Sequence, residues 1–288
     1  MGSKKIALVL ALALALTGGV WAQPKASAWF NAEGKEVKYE KLKKDLLNAD
    51  VILFGELHNN PICHWVQWEM TDFVNREGEG RLILGMEMFE TDQQLVLDEY
   101  MSGQMSERSF KGQTHFWPNY STDYKPIVEY AKENGIPLIA TNVPRRYANI
   151  IYLNGMAALD SLPAAAKAYF PAGDMPLDTN LRSYREMLEM GMGHGGWDMI
   201  RAQAMKDWTM AWSINKNLEE GDSFLHFHGT FHSKYGEGIG WYLRQMNPNL
   251  KIVVIASVEQ AEIDELEEDH LGEADYIIAI PETMTKTH

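Results

Sequence analysis

The chain has 288 residues, a formal net charge of −14 at neutral pH, 45% hydrophobic residues and a single cysteine. So acidic a chain repels nucleic acid and anionic lipid headgroups, which makes both poor partners for it. One cysteine excludes an intrachain disulfide, so packing has to stabilise the core that a chain of this length is able to bury.

Lys4 and Lys5 precede an unbroken apolar run from Ile6 to Leu16, and Thr17-Gly18-Gly19-Val20-Trp21-Ala22 follow it. That is the charged, apolar and small-residue order of a secretory signal. The expected organisation is a signal peptide over residues 1–22, cleaved after Ala22, and a single domain over 23–288. The apolar run is about half of the roughly 20 residues that a spanning helix needs, so the mature protein is expected to be soluble and exported, periplasmic or extracellular. Losing Lys4 and Lys5 takes its charge to about −16. A lipoprotein would carry a cysteine at the cleavage point; here the one cysteine is Cys63, which reads as a buried packing residue. By sequence the protein is not a lipoprotein.

Short β-branched or apolar runs at 51–54, 82–84, 137–141, 224–227, 252–256 and 276–280 each end in polar or glycine residues and read as buried strands. Helical periodicity fills the stretches 62–75, 93–101, 124–134 and 197–218. This alternation predicts an α/β fold with a mainly parallel central sheet flanked by helices. Between about 143 and 218 no strand pattern occurs, so a smaller helical subdomain is expected as an insertion there. The stripe of Met199, Met205, Trp208, Met210 and Trp212 at helical spacing reads as core. The acidic stretch 259–273, with Ile263, Leu266 and Leu271 interspersed, reads as a solvated amphipathic helix.

In an open parallel sheet, ligands bind beyond the carboxyl ends of the strands. Gly55-Glu56-Leu57-His58 follows the first predicted strand, Gly85-Met86-Glu87 the second, Asn142 the third and His228-Gly229-Thr230-Phe231-His232 the fourth, so parallel strands would gather these polar sets on one edge. Glu56, His58, Glu87 and His232 in one cleft admit three uses. They could ligate a divalent metal, serve as an acid/base set, or hold ligand carboxylates through protonated imidazoles. Two carboxylates brought together also call for a neighbouring cation, or else one of them must hold its proton. Met192-Gly193-His194-Gly195-Gly196 lacks the lysine and hydroxyl of a phosphate loop and reads either as a loop over the cleft or as a simple connection. In Asn142-Val143-Pro144-Arg145-Arg146, either arginine could meet a ligand carboxylate.

The strings GELHNNPICHWVQ, LGMEMFETDQQ, HFWPNYSTDYKPIVEYAKENGIPLIATNVPR, RAQAMKDWTMAWSI and HGTFHS, in that order over about 51–242, resemble the ChaN family of haem-binding, iron-regulated proteins, within the Tiki and erythromycin-esterase-like superfamily. The paired Gly-x-x-His motifs at Gly55 to His58 and Gly229 to His232 are the most specific part. The resemblance implies haem as cofactor, a homodimer with haems face to face, a tyrosine on the iron at Tyr124 or Tyr120, and His58, His232 and Arg145 beside the haem. It also implies a role in haem or iron acquisition or storage, with outer-membrane haem uptake machinery as a partner. Relatives in the superfamily leave open a metal-dependent or His/Glu-dependent hydrolase, in which Glu56, His58, Glu87 and His232 would be catalytic or metal-binding.

Overall fold

The computed structural model describes residues 25–190 and 196–288; the expected signal at 1–22 and the turn at 192–195 lie outside the described residues. Seven strands are present: β1 (Ala28–Asn31), β2 (Val51–Glu56), β3 (Leu82–Glu90), β4 (Leu138–Asn142), β5 (Ser223–Gly229), β6 (Ile252–Gln260) and β7 (Tyr276–Pro281). They form one sheet in the order β1-β7-β6-β2-β5-β3-β4, parallel except for β1, which runs antiparallel to β7.

Strand β2 is buried at every position, and its side chains alternate between two cores: Ile52 and Phe54 face one, Val51 and Leu53 the other. Burial on both faces is the pattern of a parallel sheet covered by helices on both sides. One core packs under α1 (Tyr39–Leu47), α2 (Pro61–Glu77), α3 (Gln94–Met101), α4 (Glu107–Gln113) and α5 (Lys125–Asn134). The other packs under α6 (Arg145–Asn154), the short α7 (Ala164–Lys167), α9 (Gly196–Asn217) and α10 (Ile239–Met246), with α8 (Arg182–Met190) set against α9. Helix α2 starts where Asn60 accepts a hydrogen bond from the Ile62 N–H at 3.0 Å and Pro61 occupies the first turn, a strong local start signal.

Residues 143–217 carry α6 to α9 and, among those described, no strand. This long helical path returns the chain to insert β5 between β2 and β3. Successive strands therefore leave β2 in opposite directions, β3 and β4 to one side, β6 and β7 to the other, and the carboxyl ends of β2 and β5 lie at the crevice between them. Met205, Trp208 and Met210 of α9 are buried, as the helical stripe predicts.

The sequence reading is corrected in three places. β1 is an additional edge strand, too short for periodicity to reveal. β3 runs past Gly85 to Glu90, with a register irregularity against β4 between Met86 and Glu90. Gly85 is not a strand end but a packing necessity, since a Cβ there would lie 2.7 Å from the rings of His226 and Phe224. The acidic stretch 259–273 is not a helix: β6 continues to Gln260, and only the 3₁₀ turn Glu268–His270 is helical. The buried Gln260 supplies the hydrogen bonds that a helix would have supplied, donating to the carbonyls of Glu262 and, at 2.6 Å, Glu265, and accepting from the Glu267 N–H at 3.3 Å.

Gln260→Ala should therefore lower stability by about 1–3 kcal/mol, the cost of leaving buried backbone groups unpaired. The check is a lower urea midpoint, with local loss of amide protection over 261–268.

Candidate functional site

The parallel pairing of β2 with β5 aligns Glu56 with Gly229, so the two Gly-x-x-His segments leave the sheet side by side. Both glycines are dictated by close approach. A Cβ on Gly55 would lie 2.8 Å from the Thr230 Cα, and one on Gly229 would lie 2.7 Å from His58 Nε2. The same point above Gly229 is 3.7 Å from Glu87 Oε2, so His58 and Glu87 bound one small space.

Glu56 is buried at the base of this space. His58 Nδ1 donates to its Oε1 at 2.9 Å, Tyr124 donates its hydroxyl to the same oxygen, and Gln67 donates to Oε2. Behind them, the buried His64 lies with one ring nitrogen 3.0 Å from the Gln67 side-chain oxygen and the other 3.0 Å from the His58 carbonyl. Burial opposes ionisation of Glu56, but the His58 hydrogen bond, His64 and Tyr124 outweigh it and hold the carboxyl below its ordinary range. The Tyr120–Tyr124 segment is a single π-helical turn ahead of α5, and it delivers Tyr124 to Glu56.

Glu87 is held from the opposite side. Its Oε2 accepts from the Gly229 N–H at 2.9 Å and its Oε1 meets His232 Nε2 at 3.1 Å. The other His232 nitrogen meets Asp207 of α9, whose second oxygen accepts the Tyr184 hydroxyl at 2.7 Å. His232 is thus an imidazolium between two carboxylates. Burial alone would lower its pKa, but Glu87 and Asp207 raise it to about 9. Burial works against the charge on Glu87 too, and His232 overrides it, holding this carboxyl well below its ordinary range. The cation that two converging carboxylates require is supplied by the protein's own imidazoles.

The four candidate residues Glu56, His58, Glu87 and His232 all line one cavity of about 760 Å³, a size suited to a cofactor. Leu57, Met187, Met190, Phe231 and Val258 give it apolar wall. His58 is the member that reaches ligand, with its side chain 45% exposed; His232 is buried. Neither tyrosine faces the cavity. Tyr124 is 1% exposed with its hydroxyl committed to Glu56, and Tyr120 is 2% exposed and stacked on Phe116 in the core. Burial pushes both phenols up, away from the tyrosinate form. Arg145 lies exposed at the start of α6, outside the cavity wall, and its neighbour Arg146 pairs with Asp92 at 2.5 Å. Among the described residues no group of three or more donors is placed to hold a metal ion, because the acidic oxygens and His232 nitrogens are spent on one another. Cys63 is buried packing, its thiol pushed up to about 12 by burial.

Asp207, Tyr184, His64 and His226 were not singled out by the motifs, and His228 only as part of the polar set after the fourth strand. Two signals existed: Gln203 and Asp207 stand at i, i+4 among the apolar residues of the Met199 to Trp212 stripe, and His226 and His228 alternate on one face of a buried strand. Thr141 donates to the Met86 carbonyl at 3.1 Å and so accepts from His226 Nε2 at 2.7 Å. His226 Nδ1 must then accept from His228 Nδ1 at 2.8 Å, and His228 Nε2 is left as a buried lone pair without a partner. Both rings are neutral; burial pushes His226 down to about 3 and His228 well below its ordinary value.

With this geometry in hand, comparison with known proteins is informative. The family profile described as "Haem-binding uptake, Tiki superfamily, ChaN" matches residues 42–243, most of the chain, and the protein belongs to that family. Among solved structures it is similar to ChaN of Campylobacter jejuni, described as showing cofacial haem binding, with a TM-score of 0.66 and 18% identity over 88% of this chain and 96% of that one. It is also similar to the erythromycin esterase EreC, a His-to-Asn variant in its open conformation, with a TM-score of 0.54 and 10% identity over 90% and 98%. At those identities the likeness is one of fold. A curated relative, Protein RETICULATA-RELATED 5 of Arabidopsis thaliana, chloroplastic, is 24% identical over 223 residues, 71% of this chain and 30% of the relative's length.

The buried imidazoles set opposite pH limits. His226, depressed from 6.5, contributes stability that is present above that pH and lost as pH falls towards about 3, and the depressed His228 acts in the same direction. His232, raised, contributes stability that is present below 6.5 and lost as pH rises through about 9. Unfolding free energy should therefore peak between these limits. His232→Gln should lower the peak by about 3–5 kcal/mol, as expected for breaking a buried ion pair, and flatten the alkaline limb; urea denaturation from pH 4 to 10 is the measurement.

Proposed function

We propose that this protein is an exported haem-binding protein that acts in haem or iron acquisition or storage, with haem held in the cavity at the carboxyl edge of β2, β3 and β5. The observation that carries the reading is that a chain of this family has, at that edge, a cavity with apolar wall on one side and the half-exposed His58 on the other. His58 is the residue that meets the iron. An imidazole whose far nitrogen is held by a carboxylate, here Glu56, is an oriented and electron-rich iron ligand. Tyr124 supports that carboxylate from behind instead of ligating. Homodimerisation belongs to the same reading, supported by the cofacial haem binding described for the Campylobacter protein. Export rests on the charged, apolar and small-residue order of residues 1–22, and outer-membrane haem uptake machinery is the partner that such a location suggests.

The test is hemin titration followed at the Soret band. His58→Ala should weaken binding at least about tenfold and move the band, whereas Tyr124→Phe should leave the band in place and lower stability by about 1–3 kcal/mol. A band that moves with Tyr124→Phe and not with His58→Ala would return the iron to a tyrosinate.

A second reading is favoured by one feature, the space above Gly229 bounded by His58 Nε2 and Glu87 Oε2. A water held there between an imidazole and a carboxylate is the arrangement of a His/Glu-dependent hydrolase. Under that reading purified protein cleaves ester or peptide substrates and Glu87→Gln lowers the rate by about 100-fold or more; hemin binding without any turnover would set it aside.

A further inference from the structure

The charges lining the cavity pair off with a remainder. Glu56 is matched by His58, Glu87 by His232, Glu259 by Lys286, and Glu273 by both Lys234 at 2.9 Å and His270 at 3.0 Å. Among the Lys, Arg, Asp and Glu side chains Lys206 is left over, and the remaining ionisable lining residue, His288, accepts from Asn59 through its backbone oxygen at 3.4 Å. Lys206 stands on α9 beside Gln203, both lining the cavity, and among the described residues it has no hydrogen-bond or ion-pair partner. Residues 191–195 and 1–24, which are not described, contain no Asp or Glu that could supply one. Its charge acts on Glu87 through space, but Glu87 already has His232 and the Gly229 N–H.

An ammonium in a half-enclosed wall, next to apolar surface and without a carboxylate of its own, is an electrostatic vacancy for a ligand acid group. Lys234 does not qualify, being doubly neutralised by Glu186 and Glu273. Nor does His232, which lies locked between two carboxylates. The apolar residues Met187, Met190, Leu57 and Phe231 share the cavity with Lys206, so the complementary ligand is flat or bulky, apolar and edged with carboxylate.

We propose that Lys206 is the residue of this cavity that binds a carboxylate of the ligand, pairing its ammonium with an acid side chain of the bound porphyrin. The inference rests on the haem-binding reading and adds to it the group that orients the ligand and selects for its free acids.

The experiment compares hemin with hemin dimethyl ester, in which both acids are capped, using wild-type protein and the Lys206→Met and Lys206→Arg variants. Lys206 is partly exposed, so both variants are expected to fold, and circular dichroism checks that they do. Lys206→Met should weaken hemin about tenfold or more, as for loss of a hydrogen bond to a charged group. It should leave the ester unchanged, and Lys206→Arg should restore hemin binding. Equal weakening of hemin and ester, or no weakening of either, would overturn the role of Lys206 while leaving haem binding intact. Failure of the wild-type protein to bind either compound would overturn the haem reading and this inference together.

Discussion

The site depends on how closely two chain segments approach at Gly229. Because β2 and β5 are parallel and in register, Glu56 and Gly229 are neighbours, and His58 folds back over the position where any other residue would place a Cβ. The Gly-x-x-His repeat is therefore a steric requirement before it is a chemical one. Gly55 admits the Thr230 backbone, Gly229 admits the His58 ring, and the free Gly229 N–H then turns to Glu87. A methyl group at Gly55 would meet the Thr230 backbone, and one at Gly229 the His58 ring, so either would push the two segments apart.

Around that contact the protein solves an electrostatic problem. Glu56, Glu87 and Asp207 are buried, and burying a carboxylate without compensation costs several kcal/mol. The solution is different on the two sides. Glu87 and Asp207 share one imidazolium, backed by Tyr184, in an arrangement with no free donor or acceptor left on the ring. Glu56 is surrounded by neutral donors as well, with Gln67 and Tyr124 taking part of the load and His64 behind them. One half is thus saturated and rigid, while the other leaves His58 with an unbonded nitrogen.

Much of this was legible in the sequence, and the rest was not for definable reasons. Six of the seven strands follow from apolar runs, since two-sided burial leaves a continuous hydrophobic signature. The convergence of Glu56, His58, Glu87 and His232 follows from strand order alone. β1 escaped because four residues cannot establish a period, and the 259–273 loop escaped because one buried glutamine does the work of a helix. The tyrosines are the instructive case. Sequence resemblance points to the Tyr120 to Tyr124 segment, but whether a phenol faces a cavity or a carboxylate depends on a single π-turn, which shifts the angular position of every residue in it and has no compositional signal. Asp207 was equally hidden, because an acid on a long helix of mixed polar and apolar residues is distinguishable from a surface residue only when the helix is known to be buried at that point.

The asymmetry between the two halves has a consequence for how ligand binding is felt. His232 cannot turn to a ligand without abandoning two buried carboxylates, so it serves as framework. His58 can, because only its Nδ1 is engaged, and any demand on its outer nitrogen passes through the ring to Glu56. That carboxylate is shared with Tyr124 and Gln67, and Gln67 in turn holds His64, which reaches the His58 carbonyl. The network closes on the residue where it began. A ligand at His58 therefore acts on a hydrogen-bonded ring that includes the π-turn, while the opposite half, fixed by Glu87, His232 and Asp207, supplies the reference against which His58 is positioned.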